Sequence, residues 1–158
     1  MGRRNYKLLT STVSLTDALS TYQDVENLRD EMVEWRDNLD GAGMDHMPKY
    51  EEVSECCDVL DCYDELQSDC EELEQMLEGT DLAGVMVTSQ DMQPYKGRGF
   101  PRWMQMSNAL APIRAACEHL TSQEAEDNTE ALTDIIAKAA EVEAHCETLE
   151  GAEFPGMF

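Results

Sequence analysis

Apolar residues recur every three or four positions in four separate stretches of this chain, and each stretch is bracketed by residues that start or stop helices. In the first, Leu15, Ala18, Tyr22, Val25, Leu28, Met32, Trp35 and Leu39 run from Ser14-Leu15-Thr16-Asp17 to Gly41 and Gly43. A hydroxyl followed three residues later by an acid is a helix-start signature, because the side chains can satisfy backbone N–H groups that the first turn leaves unpaired. Pro48 opens the second stretch, where Val53, Cys56, Leu60, Tyr63, Cys70, Leu73 and Leu77 form a near-heptad seam that ends at Gly79. Pro101 opens the third, with Trp103, Met106, Leu110, Ile113, Cys117 and Leu120; Pro112 inside it predicts a kink or a division. The fourth carries Leu132, Ile135, Ala139, Val142, Cys146 and Leu149 and stops at Gly151.

Four amphipathic segments with almost no strand-like alternation predict an all-α fold, a bundle of about four long amphipathic helices arranged as two hairpins. The expected organisation is a single helical domain over 1–158. A helical hairpin spans 14–79, an irregular connection 80–100, a second helical pair 101–150, and a short tail 151–158. Gly84, Pro94, Gly97 and Gly99 break the pattern in the connection, which has room for a short helix or strand. Seams of heptad type also allow pairing between chains, so a homodimer is one expected outcome.

Charge changes this picture more than length does. The chain holds 34 Asp and Glu against 11 Lys and Arg, a net charge of −23. Residues 37–91 carry seventeen of the acids and one base, Lys49. Such a surface repels phosphates and anionic lipids, which argues against direct nucleic-acid or membrane binding and points to basic partners. The apolar content, 42% and evenly spread, argues against disorder. Met1-Gly2-Arg3-Arg4-Asn5-Tyr6-Lys7 leads into polar residues with no apolar block of signal length, so the expected location is cytoplasmic.

At 100° per residue, Glu51, Glu55, Asp58, Asp61, Glu65, Asp69 and Glu72 fall opposite the seam of the second helix. Seven carboxylates over this span give roughly one charge per 5 Å, against about 3.4 Å per phosphate on one DNA strand. A stripe of that density can stand in for a nucleic-acid backbone before a groove lined with Lys and Arg. The expected function is therefore binding without catalysis or cofactor, by occluding the basic surface of a nucleic-acid-binding protein. The alternative is a structural or assembly protein built as a helical homo-oligomer.

Glu31-x-x-Glu34 and Glu55-x-x-Asp58 resemble the carboxylate pattern of the all-α NTP pyrophosphatases of the MazG type. That resemblance implies a second alternative, a Mg²⁺-dependent pyrophosphatase with Glu31, Glu34, Glu55 and Asp58 as ligands. Two other segments, Glu31-Met32-Val33-Glu34-Trp35-Arg36-Asp37-Asn38-Leu39 and Pro101-Arg102 through Ser107-Asn108-Ala109-Leu110, resemble stretches of small, acidic, helical proteins encoded by bacteriophages. This resemblance implies a setting inside an infected host cell, where acidic helical proteins block restriction or CRISPR machinery by mimicking DNA.

Cys56, Cys57, Cys62, Cys70, Cys117 and Cys146 lack the paired C-x-x-C spacing of zinc sites and are expected to be reduced thiols acting as small hydrophobes. His46, His119 and His145 have no sequence neighbours that suggest catalysis or metal binding: the residues three before His119 and His145 are Ala116 and Val142. Lys96-Gly97-Arg98-Gly99-Phe100-Pro101-Arg102-Trp103 is the one basic and aromatic cluster, expected to dock on the bundle or pair with nearby acids.

Overall fold

The structure of the chain, a computed structural model, describes residues 6–95, 99–123 and 130–156. Its elements run β1 (Tyr6–Ser14), α1 (Leu15–Leu19), α2 (Tyr22–Gly41), α3 (Pro48–Leu60), α4 (Tyr63–Leu77), β2 (Met86–Pro94), α5 (Arg102–Thr121) and α6 (Glu130–Glu150). Ser14 caps α1 as its sequence suggests, its hydroxyl accepting the Asp17 N–H at 3.2 Å.

Two of the four expected helices are bent. The first divides at Ser20 and Thr21, whose backbone N–H groups reach the Asp17 and Ala18 carbonyls in tighter, three-residue turns. The second divides at Asp61 and Cys62, where Cys62 N–H reaches the Val59 carbonyl in a tighter, three-residue turn. The expected break at Pro112 does not divide α5, which continues through it. The Thr21 hydroxyl donates to the Ala109 carbonyl at 2.8 Å, joining the bend before α2 to the proline-containing turn of α5.

The bundle closes as a ring. The first bent rod, α1 and α2, packs on α3, α4 and α5, while α6 packs on α5 and α4. The seam residues of the second stretch, from Val53 to Leu77, are all buried. In the fourth, Ile135, Ala139, Val142, Cys146 and Leu149 are buried too. Trp103 departs from the expected pattern: it is half exposed, and Met104 takes the buried place beside it. The heptad seams are thus consumed within one chain rather than left free to pair between chains. No helix among the described residues is long and apolar enough to cross a membrane.

The fold is mostly helical, and a two-stranded antiparallel ribbon that the all-α expectation lacks adds to the helices. β1 and β2 pair over nine positions, from Tyr6 opposite Pro94 to Ser14 opposite Met86. β2 lies inside the expected irregular connection, and β1 occupies a segment read as polar lead-in. Asn108 of α5 clamps β2 from the side: its Oδ1 accepts the Met92 N–H and its Nδ2 donates to the Met92 carbonyl, both at 2.7 Å. The amide thus acts as a third strand one residue long. Because Met92 turns its backbone groups toward Asn108, the Leu8–Met92 pair is not mutually hydrogen bonded, and Leu8, Thr10 and Thr12 direct theirs to the open edge of β1. The 3.1 Å contact between the Thr12 and Thr88 hydroxyls fits such a closely spaced pair.

Candidate functional site

The bend between α3 and α4 divides the seven-residue acidic stripe into parts with different surroundings. Glu51, Glu55 and Asp58 stand on one face of α3, with Asp61 at the bend, and all four are exposed. Among the described residues none of the four has an ion-pair partner; Lys49 pairs with Glu52 at 3.0 Å instead. Each neighbour in this row is three or four residues from the next, so ionised together they oppose helix formation by about 0.2–0.5 kcal/mol per pair.

The remaining three, Glu65, Asp69 and Glu72, face α6. Lys138 Nζ reaches Asp69 at 3.5 Å, Glu72 at 3.1 Å and Glu141 at 2.9 Å. Its ammonium is pushed above the usual lysine range by Glu141 first and Glu72 next. Asp69 is only 20% exposed. The stripe is therefore not a uniform solvent-facing row: the α3 half is open, and the α4 half is partly neutralised by a helix far away in sequence.

His145 gains in the fold the neighbours it lacks in sequence. It stands seven residues, two helical turns, beyond Lys138 on α6, and the same spacing separates Glu65 from Glu72 on α4. Lys138 therefore meets Asp69 and Glu72 while His145 meets Glu65 and Asp69, as two antiparallel helices require. His145 Nε2 lies 2.7 Å from Asp69 Oδ2. An ionised carboxylate can only accept, so Nε2 carries a proton, and in the neutral form of the ring the lone pair is on Nδ1. That lone pair faces Cys62 Sγ at 3.7 Å and Glu65 Oε2 at 3.8 Å.

Cysteine, imidazole and carboxylate in this order resemble a nucleophile, base and orienting group. Two observations oppose that chemistry. Burial, with Glu65 adding to it, pushes the Cys62 thiol up, whereas a nucleophilic cysteine needs its thiolate favoured. Concavities among the described residues also lie elsewhere: one, of about 430 Å³, is lined by Lys49, Glu52, Glu55, Cys56 and the tail through Gly156, and another by Glu71, Glu74 and Glu78.

The four carboxylates of the Mg²⁺ reading do not come together. Glu31 is exposed and pairs with Arg102 at 3.4 Å, a guanidinium that also lies over the Trp35 ring. Glu34, Glu55 and Asp58 are exposed. Among the described residues, the atoms close enough to share an ion belong to Cys62, Glu65 and His145. The sequence held one signal of this set, Cys62 and Glu65 one turn apart; nothing in it tied either to His145, 83 residues from Cys62. Of the basic and aromatic cluster, Lys96 and Arg98 lie outside the described residues, while Trp103 stacks edge-on with Tyr6 at 6.3 Å.

No protein-family model, curated protein or solved structure matches this chain.

Proposed function

We propose that this protein is a non-enzymatic, acidic helical binding protein that occludes a basic surface of a nucleic-acid-handling protein. The observation that carries the reading is the open α3 face, where Glu51, Glu55, Asp58 and Asp61 stand exposed without ion-pair partners among the described residues. Elsewhere the few cations are used against acids: Arg29 on Asp64, Arg102 on Glu31, Arg114 on Glu150 and Lys138 on Asp69. A row left unpaired keeps its full long-range field, which steers a basic groove toward it. Binding that releases counterions makes the complex weaken with salt. The α4 half contributes less than the α3 half, because Lys138 already occupies Asp69 and Glu72. The resemblance to small acidic bacteriophage proteins supports a host nucleic-acid-handling or defence protein as the target.

The test is to immobilise the protein beside an unrelated folded protein of equal negative charge, pass bacterial lysate over both, and identify by mass spectrometry what survives a salt wash. Specific retention of nucleic-acid-binding proteins is the expected result. Retention of nothing beyond the charge-matched column would contradict the reading.

A second reading, self-association, is favoured by one observation. Among the described residues β1 keeps an unpaired hydrogen-bonding edge, and Leu8 and Leu9 on it are 43% and 46% exposed. β1 has Lys7 as its only charge, so two copies can approach there without opposing acids. Light scattering against concentration tests it: a mass fixed at 17.8 kDa rules it out.

A further inference from the structure

We propose that Cys62, Glu65 and His145 form a binding site for one zinc ion, with Asp69 holding the imidazole in the tautomer that presents Nδ1 to the metal. The three ligand atoms lie within 4.8 Å of one another. Tetrahedral zinc, with bonds of about 2.3 Å to sulfur and 2.0–2.2 Å to nitrogen and oxygen, places sulfur and nitrogen about 3.6 Å apart and nitrogen and oxygen about 3.4 Å apart. The observed separations, 3.7 Å from Sγ to Nδ1 and 3.8 Å from Nδ1 to Oε2, need only small side-chain shifts to reach those values.

The surroundings are those of a metal site. A ligating histidine commonly donates its other ring N–H to a carboxylate, which fixes the ring and raises its basicity; Asp69 does so at 2.7 Å. Asp69 is itself held by Lys138 at 3.5 Å, so its orientation does not depend on solvent. The bend at Asp61 and Cys62 allows Cys62 to face α6, with its sulfur 4.0 Å from the His145 carbonyl. The donor set selects the metal. Mg²⁺ and Ca²⁺ want oxygen alone, whereas a thiolate with an imidazole suits zinc and its spectroscopic substitute cobalt. Three protein ligands leave the fourth position to water.

On binding, the Cys62 S–H bond breaks, its proton passes to buffer, and a zinc–sulfur bond forms. Thiolate and carboxylate together balance the two positive charges of the ion. The consequence is a cross-link between the first turn of α4 and the C-terminal half of α6, independent of the open α3 face.

Titration of the reduced, full-length protein with Zn²⁺ against a competing chelator tests this. Wild type is expected to bind one equivalent and release close to one proton near neutral pH. It is also expected to gain about 5–10 °C in Tm at metal a hundredfold above Kd. Co²⁺ should give a sulfur-to-metal charge-transfer band that is absent from Cys62→Ser. Cys62→Ser and His145→Gln are expected to weaken zinc binding at least about 100-fold, and Asp69→Asn by about 10–100-fold. Glu65→Gln, altering a side chain 72% exposed and so little risk to folding, should also weaken it. Glu51→Gln should leave it unchanged. Equal zinc affinity in Cys62→Ser, Glu65→Gln and wild type would overturn the proposal, as would Mg²⁺ displacing the zinc at similar concentrations. Reversing the α3 charges should not affect zinc binding, so failure of the acidic-face reading and failure of this one are separable.

Discussion

Asp91 shows how one residue can be placed against its own chemistry. Its Oδ1 is buried with no hydrogen-bond partner among the described residues, and burial, with Asp24 adding repulsion, raises its carboxyl above the usual range. A carboxyl that binds its proton more tightly folded than unfolded costs stability when ionised. The penalty is full above the raised value and absent below the unfolded one. Asp91→Asn is therefore expected to raise Tm at neutral pH, by about 2–4 °C if ionising the buried carboxyl costs on the order of 1 kcal/mol. The gain should fade as pH falls through the raised value; a melting difference independent of pH would contradict this origin. The cysteines behave as their sequence suggested, as free thiols, and five of the six are buried. Burial pushes Cys56 and Cys117 up to about 12. Cys62 is the exception in exposure, and its one mark in the sequence is Glu65 a helical turn further on. Its partners come from a turn of α4 and from α6, and only the antiparallel packing of those helices brings them together.

At the scale of elements, the helices were legible and the ribbon was not. Periodicity identified the buried faces because a helical seam is local: Leu60, Tyr63, Cys70 and Leu73 declare themselves within four turns. β1 gives no such signal. Leu8 and Leu9 are adjacent and both exposed, so alternation fails, and the strand's partner lies 76 residues away at Thr88. The ribbon depends instead on Asn108, a single polar residue in an otherwise ordinary helix face. Asn108→Ala leaves the Met92 N–H and carbonyl without their partner and is expected to cost about 1–3 kcal/mol in urea unfolding. Asn108→Asp keeps an acceptor for the N–H but sets a carboxylate oxygen against the Met92 carbonyl, so it should be no better tolerated. Hydrogen exchange should then show β1 and β2 amides losing protection before those of α4 and α6. Unchanged exchange in the strands would mean that the ribbon is held by β1–β2 pairing alone. The bends were illegible for a related reason: Ser20, Thr21, Asp61 and Cys62 interrupt backbone bonding without interrupting the apolar pattern, so the seams read as continuous.

For the whole molecule, the net charge of −23 sets what can approach it, and the fold decides where that charge is available. Half of the acidic stripe expected on the second helix remains open on α3, and the other half turns toward Lys138 and His145. The sequence located the acids but could not assign the one lysine that would neutralise some of them, because Lys138 arrives from α6. Under the proposed function, the α3 row acts as a face rather than as bulk charge. The direct measurement compares two triple variants of equal net charge as competitors of DNA for heparin-binding proteins of a bacterial lysate. One carries Glu51→Lys, Glu55→Lys and Asp58→Lys. The other carries Glu78→Lys, Glu118→Lys and Glu147→Lys, exposed sites near helix C-termini where a cation is tolerated or favourable. With both confirmed helical by circular dichroism, the α3 variant is expected to lose at least about tenfold in competition while the other stays close to wild type. Equal losses in the two variants would contradict it.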